Sequence, residues 1–195
     1  MRALLLALAM TSSLAAAAPT LAQTLTVNPN FVIDVTGFSG DANTLSTAVS
    51  TIEAQNVGRV AAIAYNNVAG TPGYGVILVA NGGSDVTFWR LDKPTGQSVA
   101  LTGASVPSWM LTWRHQKRAA IVAGARVSLA DAIRTAEASQ GGAPAVVAGI
   151  ARSAANPDSD VHAYMVGILK DGKLLPVAVN SQTGSPIENP SALDW

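Results

Sequence analysis

The chain contains no cysteine among its 195 residues. That absence excludes a disulfide framework, a thiolate zinc site, an iron–sulfur cluster and a cysteine nucleophile. Histidine is nearly absent as well, with only His115 and His162 available for proton transfer or imidazole ligation. Charge is scarce at 12 % of residues, about half the usual quarter of a globular chain. Twelve Lys and Arg face twelve Asp and Glu, so the basic footprint of a nucleic-acid binder is missing. No apolar run approaches the roughly 20 residues of a spanning helix, and no transmembrane anchor is expected.

What is present begins with a leader. Met1 to Ala22 carries one charge at Arg2, then the apolar run Ala3 to Met10, then small residues through Ala15–Ala18 and Thr20-Leu21-Ala22. This three-part pattern reads as a secretory signal cut after Ala22, leaving 173 residues with 11 basic and 12 acidic groups. The expected product is periplasmic or secreted.

Beyond the leader the chain repeats itself. Leu45, Ala48, Val49, Glu53 and Ala54 match Leu129, Ala132, Ile133, Glu137 and Ala138 at a constant offset of 84. Tyr74 and Val76 match Tyr164 and Val166 at 90, and the turn from Asp92 to Gly96 matches that from Asn180 to Gly184 at 88. The offset changes only inside loops, where insertions are tolerated.

Each copy opens on a helix. Thr44 or Asn43 caps the first, whose Leu45, Ala48, Val49 and Ile52 share one face. Ser128 and Asp131 form a capping-box-like start for the second, with Leu129, Ala132, Ile133 and Ala136 on its face and Gly141-Gly142 as the stop. Short β-branched strands follow, at 146–152, 163–169 and 174–179 in the second copy. Lys170-Asp171-Gly172-Lys173 is a hairpin signal, because Asp-Gly tolerates the positive φ of a type I′ turn. Pro176 lacks an N–H, so its strand is expected at an edge or a bulge. The fold class expected is α+β, two repeated units, each one helix packed on a small antiparallel β-sheet. The organisation expected is a signal peptide at 1–22, a first unit at 23–103, a connector at 104–126 and a second unit at 127–195.

The second copy, with Val127-Ser-Leu-Ala-Asp-Ala-Ile133, Tyr164-Met-Val166, Lys170-Asp-Gly-Lys173 and Val179-Asn-Ser-Gln-Thr-Gly184, resembles a PepSY domain. The first copy resembles the family more weakly, through Asp92-Lys-Pro-Thr-Gly96. It lacks the Ser-Leu-x-x-Ala helix start, and the second copy has Asn180 where the family usually has Asp. In these turns Asp92, Thr95 and Gly96, and Asn180, Thr183 and Gly184, are structural: glycine supplies the unusual φ and Asp or Asn caps through its side chain. The resemblance implies a non-enzymatic exported module acting in peptidase inhibition, as a propeptide, or in regulation at the cell envelope. It also implies an exported protein partner, such as a peptidase.

Chemistry is hard to assemble from the remainder. No G-x-S-x-G elbow occurs, and neither histidine lies in a nucleophile context. Glu53 and Glu137, equivalent helix positions, are explained by repetition and an exposed face rather than as a carboxylate pair. For a metal, the candidate is Asn156-Pro-Asp158-Ser-Asp160, whose alternating oxygens begin like a loop for calcium or a lanthanide, although Val161 replaces the turn glycine and Gly167 the final Glu. Tandem proteins of the PepSY type include metal binders, so this remains the alternative to partner binding. For a partner, Trp109 and Trp113 are four residues apart and precede Arg114, Lys117 and Arg118. On a helix they share a face, either as a contact patch or as a connector closing the core. The lead expectation is a non-enzymatic binding protein without cofactor, with edge strands and the Trp109/Trp113 segment as contact surfaces.

Overall fold

The computed structural model describes residues 24–28, 31–35, 37–40, 44–68, 71–107, 113–156 and 159–194. The expected leader, Trp109 and Asp158 lie outside the described residues.

The chain is α+β, with an antiparallel sheet at its centre. Strands β1 (Thr24–Asn28) and β2 (Phe31–Asp34) pair as a hairpin of their own. Helix α1 (Leu45–Glu53) leads into β3 (Arg59–Val68), β4 (Thr71–Ala80), β5 (Asp85–Asp92) and β6 (Ser98–Pro107). Helices α2 (Trp113–Ala123) and α3 (Leu129–Ser139) follow. The chain then forms β7 (Ala145–Ile150), β8 (Arg152–Ser153), β9 (Ala163–Lys170), β10 (Lys173–Asn180), β11 (Pro186–Ile187) and β12 (Leu193–Asp194). Eight strands make the main sheet in the order β11-β10-β9-β7-β3-β4-β5-β6, and β12 pairs separately with β8.

Local sequence accounts for these elements. Thr44 caps α1, its hydroxyl accepting from the Thr47 amide at 3.3 Å, and Ser128 caps α3, accepting from the Asp131 amide at 3.1 Å. Leu45, Ala48, Val49 and Ile52 are buried on α1, as are Leu129, Ala132, Ile133 and Ala136 on α3, as the helical spacing requires. Asp171 and Gly172 adopt φ of 51° and 72°, the pair of positive values that a type I′ turn demands. Pro176 opposes Gly167 of β9, whereas β11 reaches only Ala178 and Val179. One side of β10 is therefore unpaired by sheet at the proline, which has no N–H to give there.

Strand alternation divides the core into three clusters. Tyr74, Val76 and Leu78 of β4 and Tyr164, Val166 and Ile168 of β9 face α1 and α3 in the largest cluster. On the other face, Val79 and Val86 pack with Ala119 and Val122 of α2. Farther along that face, Met165 and Ala178 are covered by Val161, Ile187 and Leu193.

β3 and β7 join the first four strands to the last four through Ala62↔Gly149, Ile63↔Ala148 and Ala64↔Val147. The sheet is thus continuous where the sequence left the packing of the units open. The expected boundary after residue 103 falls inside β6, which runs to Pro107, and the expected connector contains α2.

Candidate functional site

The side chain with the clearest call for a partner lies on α2. Its sequence, Trp-Arg-His-Gln-Lys-Arg-Ala-Ala-Ile-Val-Ala, places Ala119 and Val122 on the sheet and leaves the first turn, residues 113–116, exposed. Trp113 is 52 % exposed, the large apolar side chain most open to solvent among the described residues. Arg114 and Lys117 lie 5.8 and 5.7 Å from its ring centre, within cation–π range. Lys117 also meets the Asp160 carboxylate at 2.8 Å. Arg118 is half-buried, and burial, then the neighbouring Arg152 and Arg114 charges, push its guanidinium below the ordinary range. Arg152 itself pairs with Asp194.

The far end of α2 is locked in place. The Arg59 guanidinium donates to the carbonyl of Val122 at 3.3 Å and to that of Ala125. Gln182 Nε2 donates to the Gly124 carbonyl at 3.4 Å. Both partners satisfy carbonyls that a helix C-terminus leaves without intrahelical donors. The aromatic and cationic end of α2 is therefore presented from a fixed base.

The turn residues singled out by sequence hold backbone. Asp92 Oδ1 accepts from the Thr95 amide at 2.8 Å and from its hydroxyl at 2.6 Å. The hydroxyl bond, then the amide bond, keep the Asp92 carboxyl below its usual range. Asn180 Oδ1 accepts from the amides of Gln182 and Thr183 at 2.8 and 3.1 Å. Gly96 and Gly184 close the two turns with φ of 70° and 77°. The second residue of each turn, Lys93 and Ser181, is buried, which the sequence did not indicate.

Glu53 and Glu137 also act on backbone. Glu53 Oε1 accepts from the Val60 amide at 2.9 Å, and Glu137 Oε1 from the Ala145 amide at 3.0 Å. Each carboxylate pins the strand that follows its helix, a role hidden from the sequence except as equal spacing. The expected exposed helical face is corrected by burial: both side chains are only partly exposed. Burial lifts the Glu53 carboxyl above its usual range, opposed by the Val60 hydrogen bond and the Arg59 charge.

Of the metal candidates, Asn156 and Asp160 are described. Lys117 supplies the positive charge beside Asp160, and the Asn156 carbonyl accepts from the Ser159 hydroxyl at 2.8 Å. Among the described residues, no three His, Asp or Glu side chains gather as metal ligands would. Gly167, at the loop's final position, lies inside β9. His115 sits on α2 and His162 precedes β9, whose neighbour Ser181 donates its amide to the His162 carbonyl at 2.9 Å. A recess beside Phe38, Thr44, Tyr74, Lys93 and Glu137 has room for about one water molecule. Among the described residues, no helix is long and apolar enough to cross a membrane.

No family model and no curated protein matches the chain. Among solved structures, the chain is similar to a candidate lipoprotein from Clostridium difficile 630, with a TM-score of 0.41 and 13 % identity over 77 % of this chain and 94 % of that one.

Proposed function

We propose that this chain is an exported, non-enzymatic binding protein of the tandem PepSY type that modulates a protein partner such as a peptidase. The observation that carries the binding role is Trp113, which stays 52 % exposed on a helix anchored at its other end. Exposing an indole forgoes the burial of a large apolar area, and Trp and Arg supply much of the energy at protein interfaces.

The tandem reading draws support from matched side-chain locks. In each half a glutamate in the last turn of a helix pins the next strand, and a later Asp or Asn turn closes through its own side chain. α1 with β3 to β6 then forms the first unit, and α3 with β7 and β9 to β11 the second, α1 packing on β3 and α3 across β7, β9, β10 and β11. α2 has no counterpart in the second unit, which suits an element added for contact.

The test uses the chain without its expected leader, covalently cross-linked in an exported-protein fraction and assayed against the peptidases of that fraction. A protein retained by the parent chain and lost with Trp113→Ala supports the proposal. Absence of any specific retention, together with unchanged peptidase activity, overturns it.

A further inference from the structure

We infer that Asn81 is a self-modifying site: the Gly82 main-chain nitrogen attacks its side-chain amide and expels ammonia, and water opens the resulting ring to isoaspartate or aspartate. The inference goes beyond the binding function and does not depend on what α2 binds.

Sequence and backbone carry the argument together. Asn81-Gly82 is the one Asn-Gly step in the chain, and every other asparagine precedes a residue that carries a Cβ. A Cβ there crowds the nitrogen as it closes on the amide carbon, whereas glycine lets main chain approach closely. The step lies in the turn Asn81–Gly83 between β4 and β5, where Asn81, Gly82 and Gly83 take φ of 48°, 66° and 107°. Asn81 and Gly82 are both exposed, and a Cβ added at Gly82 would point into open space. Water and base therefore reach the Gly82 amide, and the turn has room to rearrange. Asn180 is the contrast, since its Oδ1 accepts from the amides of Gln182 and Thr183 and its side chain is committed to its own turn.

The chemistry closes with water alone. Base takes the Gly82 amide proton, the nitrogen bonds to Cγ of Asn81, and the Cγ–Nδ2 bond breaks to release ammonia. Attacker and target sit on adjacent residues, so the step is intramolecular. Water opening the ring at Cγ restores an ordinary main chain with aspartate. Opening at the main-chain carbonyl gives isoaspartate, which adds a methylene to the main chain.

Either product changes the turn. Nδ2 of Asn81 donates to the Asp85 carboxylate, and the reaction puts a carboxylate where that donor stood. The turn packs against α2, and a Cβ added at Gly83 would stand 3.6 Å from the Ala119 carbonyl and the Ala120 nitrogen. Val86, next after Asp85, packs with Ala119 and Val122. The modification thus acts on the seat of α2.

The test holds the chain without its expected leader in water enriched in heavy oxygen, at neutral and mildly alkaline pH, and maps its peptides by mass spectrometry. Position 81 is expected to gain the acid mass with heavy oxygen, faster at the higher pH and about tenfold faster than Asn180. An isoaspartate methyltransferase should label part of the product. Asn81→Gln, whose longer side chain would have to close a larger ring, should lose the reaction at this position. Asn81→Asp, which makes one of the products, should raise hydrogen exchange in α2 about threefold while α1 and α3 stay at the parent's rate. A reaction no faster than at Asn180, or one that appears only after unfolding in urea, overturns the inference. Unchanged exchange in α2 overturns the link to that helix.

Discussion

At Glu53 the Val60 amide and the Arg59 charge favour the carboxylate, yet burial outweighs them and lifts its pKa. The folded state then prefers the protonated form, and stability is lost as pH rises through the raised folded value. Glu53→Gln keeps an oxygen for the Val60 amide and removes the charge. The variant should melt above the parent near neutral pH, with the gap closing as pH falls below the ordinary carboxyl value of 4.5. Parallel melting curves across that range would count against the burial account. Asp92 and Asp131 work in the opposite sense. Hydrogen bonds from Thr95, and for Asp131 from Ser128 and then Arg134, hold both carboxyls below 3.8, so what they contribute disappears only as pH falls through their lowered values. Equal spacing from the helix start marked Glu53 and Glu137 as a pair. Their task was illegible, because an amide seven or eight residues farther along becomes a partner only once the chain has turned back onto the helix.

Among the elements, α2 departs most from what its sequence predicts. α1 and α3 could be read directly, since Thr44 and Ser128 announce caps and the apolar spacing leaves one face for the core. α2 has only Ala119 and Val122 buried, and nothing local says that it lies on the sheet face opposite the other helices. Arg59 decides its position, and Arg59 belongs to β3. Replacing Arg59 by Ala removes a charged donor from the Val122 and Ala125 carbonyls, a loss of about 1.5–3 kcal/mol for a hydrogen bond from a charged group. Hydrogen exchange should rise in α2 before it rises in α1 or α3. Uniform acceleration in all three helices would show that Arg59 supports the sheet rather than α2. Trp113 stands at the opposite end of the helix from this anchor, so its exposure is a property of how α2 is seated, which periodicity alone does not reveal.

At the scale of the molecule, three residue pairs between β3 and β7 make one sheet of two four-stranded halves. The segments that meet, residues 62–64 and 147–149, are apolar, and nothing in either specifies the other as its neighbour, so the sequence was silent on this join. The join leaves little space. A Cβ on Gly149 would stand 3.1 Å from the Ala62 side chain and 3.3 Å from the Ala61 carbonyl. Gly149→Val should cost about 1–3 kcal/mol through overpacking, read as a lower denaturation midpoint. An unchanged midpoint would mean that the strands shift apart without loss. Ile63 and Ala148, paired at the join, are 85 positions apart in the chain. Such a contact closes a long loop before it returns any stabilisation, and chains dominated by distant pairings fold slowly. During synthesis the inner edge of β3 is made long before its partner and waits bare until β7 emerges. The seam that unites the finished protein is thus the interval in which an unfinished one is most open to pairing with the wrong strand.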